Sequence, residues 1–146
     1  MQMTAHDIAV AANYLRPMAS PTRLLVPARD ITAAADALAK EFPDAVHVGF
    51  GGTVSRGRLC DSLPDEYITP DAEQTIIVEL YGDTTSDSVA ECLRAIFLTN
   101  DRNIEHPNSR TAVMIVADRD LPSIIPAVLV NRCVTIEIKD DAEALA

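Results

Sequence analysis

The chain has 146 residues, of which 48% are hydrophobic and 4% aromatic, and this predicts one domain whose aliphatic core suits parallel strands packed between helices. The formal net charge is −10, and the residues from Leu59 to Ala146 include 6 basic and 17 acidic ones, which disfavours direct nucleic-acid binding. Three widely spaced cysteines and the lack of a signal peptide or a long apolar run argue against disulfides, structural zinc and membrane insertion, so we expect a cytoplasmic protein.

The first predicted element is a helix that begins at Thr4, where Asp7 three residues later gives a start similar to a capping box. Its apolar face would contain Ile8, Ala11, Ala12 and Leu15. The stretch from Pro17 to Pro21 ends this helix, because proline breaks the hydrogen-bond ladder. Residues 1–22 are therefore predicted to form an N-terminal helix and a linker.

After this linker, apolar strands alternate with helices. Five strands are predicted, at Arg23–Val26, Ala45–Phe50, Thr75–Tyr81, Thr111–Ala117 and Cys133–Ile138. Helices are predicted from Asp30 or Thr32 through Phe42, at Ser86–Leu98 and at Leu121–Leu129, with long loops at Thr53–Glu73 and Asn100–Arg110. This alternation predicts an α/β three-layer sandwich with a mainly parallel five-stranded sheet over residues 23–138, followed by an acidic tail at 139–146.

The stretch from Leu24 to Phe42 resembles the first strand, phosphate loop and first helix of AAA+ ATPases, including MoxR-like members, with eight residues between strand and helix. A working loop reads GxxxxGK[ST], in which glycines expose backbone N–H groups and the lysine reaches the phosphates. The glycine positions here carry Pro27 and Thr32, the lysine position Ala33 and the hydroxyl position Ala34. The resemblance implies a P-loop NTPase-like fold with a degenerate loop and no cofactor; an ordinary strand–loop–helix is the alternative.

Two later segments extend this resemblance. Ile76 to Leu80 looks like the Walker B strand, with Glu79 at the magnesium-binding position and Leu80 at the position of the catalytic glutamate. Thr111 to Pro122 resembles the fourth strand, where Asp118 replaces the usual sensor-1 asparagine. The loss of the catalytic glutamate implies that ATP is not hydrolysed.

The last part of the match runs from Ile125 to Ile138 and resembles the family's final helix and fifth strand. Arg132 falls where the family keeps an arginine finger, and its alternative role is a cation at a helix C-terminus. The family's C-terminal helical lid has no counterpart in the sequence. The candidate partner-binding residues are Glu79, Asp118, Arg119 and Arg132.

A second candidate site is the glycine-containing turn Gly49–Gly52. Gly49, Gly51 and Gly52 follow a strand and could cradle phosphate together with Arg56 and Arg58. The pattern departs from GxGxxG at Val54, whose branched side chain would prevent close helix packing, and a plain turn or bulge is the alternative. No spacing of histidines or cysteines indicates a metal site.

These patterns lead to one main hypothesis about function. We expect a non-catalytic AAA+-like domain that binds a protein, either an AAA+ subunit or another target, and modulates or inhibits it, as a phage-encoded regulator would. The alternative is an enzyme that binds a small molecule or nucleotide at Gly49–Gly52. Self-association into a homo-oligomer is also left open.

Overall fold

The computed structural model describes residues 2–15, 22–50, 58–59, 73–81, 110–119, 131 and 133–139. Within them the helices are α1 (Ala5–Leu15) and α2 (Ile31–Glu41). The strands are β1 (Gln2–Met3), β2 (Thr22–Ala28), β3 (Val46–Phe50), β4 (Arg58–Leu59), β5 (Glu73–Leu80), β6 (Arg110–Asp118), β7 (Val134–Thr135) and β8 (Glu137–Ile138).

The strands form a parallel sheet in the order β4-β3-β5-β6-β2-β7, and β1 pairs in parallel with β8 beside it. This confirms the predicted α/β class with a mainly parallel sheet built from the five predicted strands. Two short strands were not predicted: β1, and β4 inside the stretch expected to be a loop. The helices predicted at Ser86–Leu98 and Leu121–Leu129 lie outside the described residues.

Both described helices begin at a side-chain cap. The Thr4 hydroxyl accepts the Asp7 backbone N–H at 3.1 Å, which confirms the predicted start of α1. Asp30, in an extended conformation, accepts the Ala33 N–H at 3.0 Å and so caps α2. Each cap satisfies a backbone donor that the first helical turn would otherwise leave without a partner.

The core on the side of the sheet that α1 and α2 cover consists of small and aliphatic side chains from these two helices and from the strands they contact. Its members include Ile8, Ala12, Leu24, Val26, Ala35, Leu38, Ile77, Met114, Val116, Ile136 and Ile138. The strand residues facing the other way, such as Ile76, Val78, Val113 and Ile115, are also buried. Burial on both faces explains why these strands read as nearly continuous apolar runs.

The predicted fifth strand is divided in two at Ile136. Its first half, β7, pairs with β2 at Leu24 and Leu25, and its second half, β8, pairs with β1. The Leu25 carbonyl accepts the Ile136 N–H at 2.9 Å, so the backbone polar groups of Leu25 are directed towards β7. The backbone of Pro27, two residues further along β2, is directed to the same side. Proline has no N–H to donate there, which accounts for the end of the β2–β7 ladder at this point.

No helix among the described residues is long and apolar enough to cross a bilayer.

Candidate functional site

The carboxyl ends of β5, β6 and β2 lie side by side. Ala28 at the end of β2 pairs with Asp118 at the end of β6, and Leu80 at the end of β5 pairs with Ala117. In open parallel sheets this edge is where ligands bind. The structure therefore brings Asp118, the end of β5 and the β2–α2 connection to one edge of the sheet.

The connection between β2 and α2 contains only Arg29 and Asp30. The eight-residue separation expected from the AAA+ resemblance is therefore wrong. Pro27 belongs to β2, while Thr32, Ala33 and Ala34 belong to the first turn of α2. The positions that would form a phosphate loop belong to β2 and α2. The two residues between them are too few to wrap around a phosphate group.

Asp30 further closes this helix start to anions. Its carboxylate already accepts the Ala33 N–H, one of the donors that a phosphate would need. A bound phosphate would also lie against the negative charge of this cap, whereas helix N-termini that bind phosphate offer free N–H groups. The local structure thus fits a self-capped helix.

Glu79 lies on the same side of the sheet as α2 and is fully buried, with 0% exposure. The Tyr81 hydroxyl donates to Glu79 Oε1 at 2.8 Å. The Thr32 hydroxyl lies 3.0 Å from the Tyr81 oxygen, and because tyrosine has a single hydroxyl proton, Thr32 is the donor in this second bond. These two hydrogen bonds connect the first turn of α2 to the end of β5.

Gly49 of β3 is buried and pairs with Glu79 across the sheet. Paired residues on neighbouring strands share a face of the sheet, so the missing side chain of Gly49 leaves room beside the Glu79 carboxylate. This placement gives Gly49 a packing role inside a strand.

The other parts of the predicted glycine site are not brought together. Phe50 ends β3, and Arg58 lies in β4 opposite Val48, while Gly51, Gly52 and Arg56 lie outside the described residues. The first two members of the turn are thus strand residues.

Arg119 directly follows β6 and is engaged inside the molecule. Its Nε lies 2.9 Å from Glu137 Oε1, as an ion pair whose geometry is not that of an aligned hydrogen bond. Its Nη2 donates to the Ile138 carbonyl at 3.5 Å, and Gln2 donates to Glu137 Oε2 at 3.1 Å. Glu137 therefore ties the end of β6 to β8 and β1.

The four predicted partner-binding residues thus have different environments. Glu79 lies in the interior and Arg119 is paired with Glu137, while Asp118 is partly exposed. Arg132 lies outside the described residues, and its two proposed roles stay predictions. In the described part of the chain, no group of three or more histidine, cysteine, aspartate or glutamate side chains could hold a metal ion.

A cleft of about 270 Å³ lies between the start of α2 and the end of β8. Its lining includes Arg29, Asp30, Ala33, Ala37, Ile138 and Lys139. Sequence reasoning missed this cleft because its two walls are about 100 residues apart in the chain. It also missed the role of Tyr81, although the two-residue spacing from Glu79 places both side chains on one face of the sheet.

No protein-family model matches this sequence, and no match was found among curated proteins.

Proposed function

We propose that this chain is a non-catalytic, AAA+-like cytoplasmic domain that binds a partner protein and modulates or inhibits it. The observation that carries the proposal is the start of α2, where a two-residue connection and the Asp30 cap replace a phosphate-binding loop. The strands β5, β6 and β2 are neighbours in the sheet, and this supports the AAA+ resemblance because they begin or contain three of the four segments that carry it.

The environment of Glu79 supports the absence of catalysis. A magnesium ligand must present its carboxylate oxygens to the ion and its water shell. Glu79 is buried and accepts a hydrogen bond from Tyr81, and the next residue, Leu80, offers no carboxylate to orient water. The carboxylate instead contributes to the attachment of α2 to the sheet.

Isothermal titration calorimetry with ATP and with ADP, each in the presence of Mg²⁺, tests the first half of this proposal. We expect no binding heat up to about 1 mM nucleotide, a concentration that would reveal a Kd in the millimolar range. A micromolar Kd for Mg·ATP would overturn the claim that the start of α2 does not bind nucleotide.

The second half concerns the partner, which we propose to be an AAA+ ring ATPase of a host cell or another host protein, bound by a phage-encoded regulator. Chemical cross-linking with mass spectrometry in the cell of origin would identify it. Retention of a purified ring ATPase should fall for Arg132→Ala and remain unchanged for Lys40→Ala, which removes an exposed cation of α2. Equal retention by both variants would rule out the arginine-finger version of docking.

A further inference from the structure

Arg119 connects two strands that are not neighbours in the sheet. It directly follows β6, and its guanidinium lies against the Glu137 carboxylate and the Ile138 carbonyl of β8. The strand β2 lies between β6 and β7, the strand that leads into β8. Since neighbouring strands are about 4.8 Å apart, the Arg119 side chain reaches across the width of β2.

This contact lies where the backbone ladder of β2 has ended. Pro27 has no N–H to donate, and the pairing of β2 with the predicted fifth strand stops before β8. The two neighbours of Pro27 belong to the core under α1 and α2, so Pro27 faces the other side of the sheet. Glu137 faces that side too, because the next residue, Ile138, lies in the same core. Arg119 therefore attaches β8 to the main sheet through its side chain at the point where the ladder stops.

β8 is in turn attached to a small group of elements. β1 pairs with β8, and the Lys139 N–H donates to the Met3 carbonyl at 2.9 Å. α1 follows β1, and its residue Ile8 lies in the same core cluster as Ile138 of β8. We call these three elements, β1, α1 and β8, the edge unit. Their contacts with one another mean that displacing β8 displaces all three.

The edge unit buries few large side chains. Among the side chains that the structure describes, its largest fully buried ones are Ile8 and Ile138, and Val10 and Tyr14 of α1 are exposed. The strands β2, β5 and β6 contribute a larger set, which consists of Leu24, Ile76, Ile77, Leu80, Met114 and Ile115. Because the free energy of a local opening follows the apolar surface that is uncovered, the edge unit opens more readily than these strands.

We propose that the edge unit opens as one piece while β2, β5 and β6 stay paired, and that the Arg119–Glu137 ion pair controls this opening. Glu137 also accepts a hydrogen bond from Gln2 at 3.1 Å, so one carboxylate joins the end of β6 to β8 and β1. The two side chains of the ion pair are 24% and 33% exposed, so salt screens their attraction and favours opening. This inference does not depend on the proposed protein-binding function.

Native-state hydrogen exchange measured by NMR tests whether the edge unit opens as one piece. The Lys139 amide donates to β1, the Ala12 amide lies within α1, and the Met114 amide lies within β6. In the unaltered chain we expect Lys139 and Ala12 to share one opening constant, at least about tenfold larger than that of Met114. Different constants for Lys139 and Ala12, or one constant for all three amides, would overturn the proposal.

Arg119→Gln tests the role of the ion pair. The opening constants of Lys139 and Ala12 should both rise by about threefold to fivefold, because the attraction exists only while the unit is closed. Lys40→Gln removes the same charge from an exposed position on α2 and should leave both constants unchanged. Unchanged constants in Arg119→Gln, or an equal rise in Lys40→Gln, would refute control by the ion pair.

Ile76→Val is the control for the part of the molecule that stays folded. Ile76 is fully buried in β5, on the face of the sheet opposite to the helix-covered core. Loss of one methylene should raise the opening constant of Met114 by about threefold to tenfold. The constants of Lys139 and Ala12 should not change, because Ile76 keeps its contacts while the edge unit is open. An equal rise at all three amides would mean that the edge unit opens only by global unfolding, contrary to the proposal.

Salt tests the electrostatic origin of the control. We compare the Lys139 opening constants of Arg119→Gln and of the unaltered chain as a ratio, which cancels the general repulsion that both chains share. This ratio should fall towards one between about 10 mM and 1 M NaCl, as the Debye length shortens from about 30 to 3 Å. A ratio that stays constant would contradict an opening controlled by charge.

Discussion

The role predicted for Glu79 from the sequence differs from the role that its contacts in the structure indicate. An apolar run ending in a carboxylate resembles a magnesium-binding strand, and the sequence alone does not reveal which groups surround that carboxylate. In the structure Tyr81 and Thr32 connect it to the first turn of α2. Its placement on β5 could be predicted, whereas its hydrogen-bond partners depend on how α2 packs against the sheet.

Replacing Tyr81 with phenylalanine should lower the free energy of unfolding by about 1.5–3 kcal/mol, because a partly buried hydrogen bond to a carboxylate is lost. Equilibrium urea denaturation would measure the change. The matched control is Tyr14→Phe, since Tyr14 is 71% exposed, and we expect a change within about 0.5 kcal/mol there. Equal effects of the two substitutions would contradict a stabilising role for the Tyr81 hydroxyl.

At the scale of elements, the β2–α2 connection is shorter than the phosphate-loop motif predicts. The resemblance to a phosphate loop placed Pro27 and Ala28 in a loop. Both residues are instead extended and pair with Ala117 and Asp118 of β6. The helix also begins early, because Asp30 supplies a cap immediately after the strand. The order of strand and helix was predictable, while the loop length depended on pairing with a strand about 90 residues away.

Introducing the second glycine, the lysine and the hydroxyl of a phosphate loop should therefore fail to create nucleotide binding. We expect Thr32→Gly, Ala33→Lys and Ala34→Thr together to give no calorimetric signal with Mg·ATP, because the connection remains two residues long. Thr32→Gly should also lower stability by about 1–2 kcal/mol, because it places glycine in the first turn of α2 and removes the hydrogen bond to Tyr81.

The control for this triple variant is Ala33→Lys alone, which adds the same charge to the helix start. Micromolar Mg·ATP binding by the triple variant but not by this control would show that only residue identities were missing, and would contradict the role given to loop length.

The short strands β1, β7 and β8 could not be predicted individually from the sequence. The alternating pattern of Cys133 to Ile138 predicts one continuous strand, and nothing in it signals the division at Ile136. That division follows from Pro27, which lies on the neighbouring strand. The strand β1 is only two residues long, too short for any periodicity to indicate it.

The net charge of the whole molecule is −10, and this charge affects its stability. Like charges repel across a folded surface, and salt screens this repulsion. Raising NaCl from about 10 to 150 mM shortens the Debye length from about 30 to 8 Å. We therefore expect the melting temperature to rise by a few degrees, as measured by scanning calorimetry.

Tetramethylammonium chloride at the same ionic strength is the control for specific sodium binding and should give the same rise. A fall in melting temperature would mean that attractive pairs such as Arg119–Glu137 outweigh the general repulsion.

The position of β2 between β6 and β7 has a consequence for the order in which the protein is made. Thr22 of β2 pairs with Ala112 of β6, a separation of 90 residues. At synthesis rates of about 5–20 residues per second, β2 waits roughly 5–18 s for its neighbour to leave the ribosome. During that time an apolar strand has an unpaired edge, which is the kind of segment that aggregates or engages a chaperone. Newly made chains of this protein are therefore expected to depend on early protection of β2.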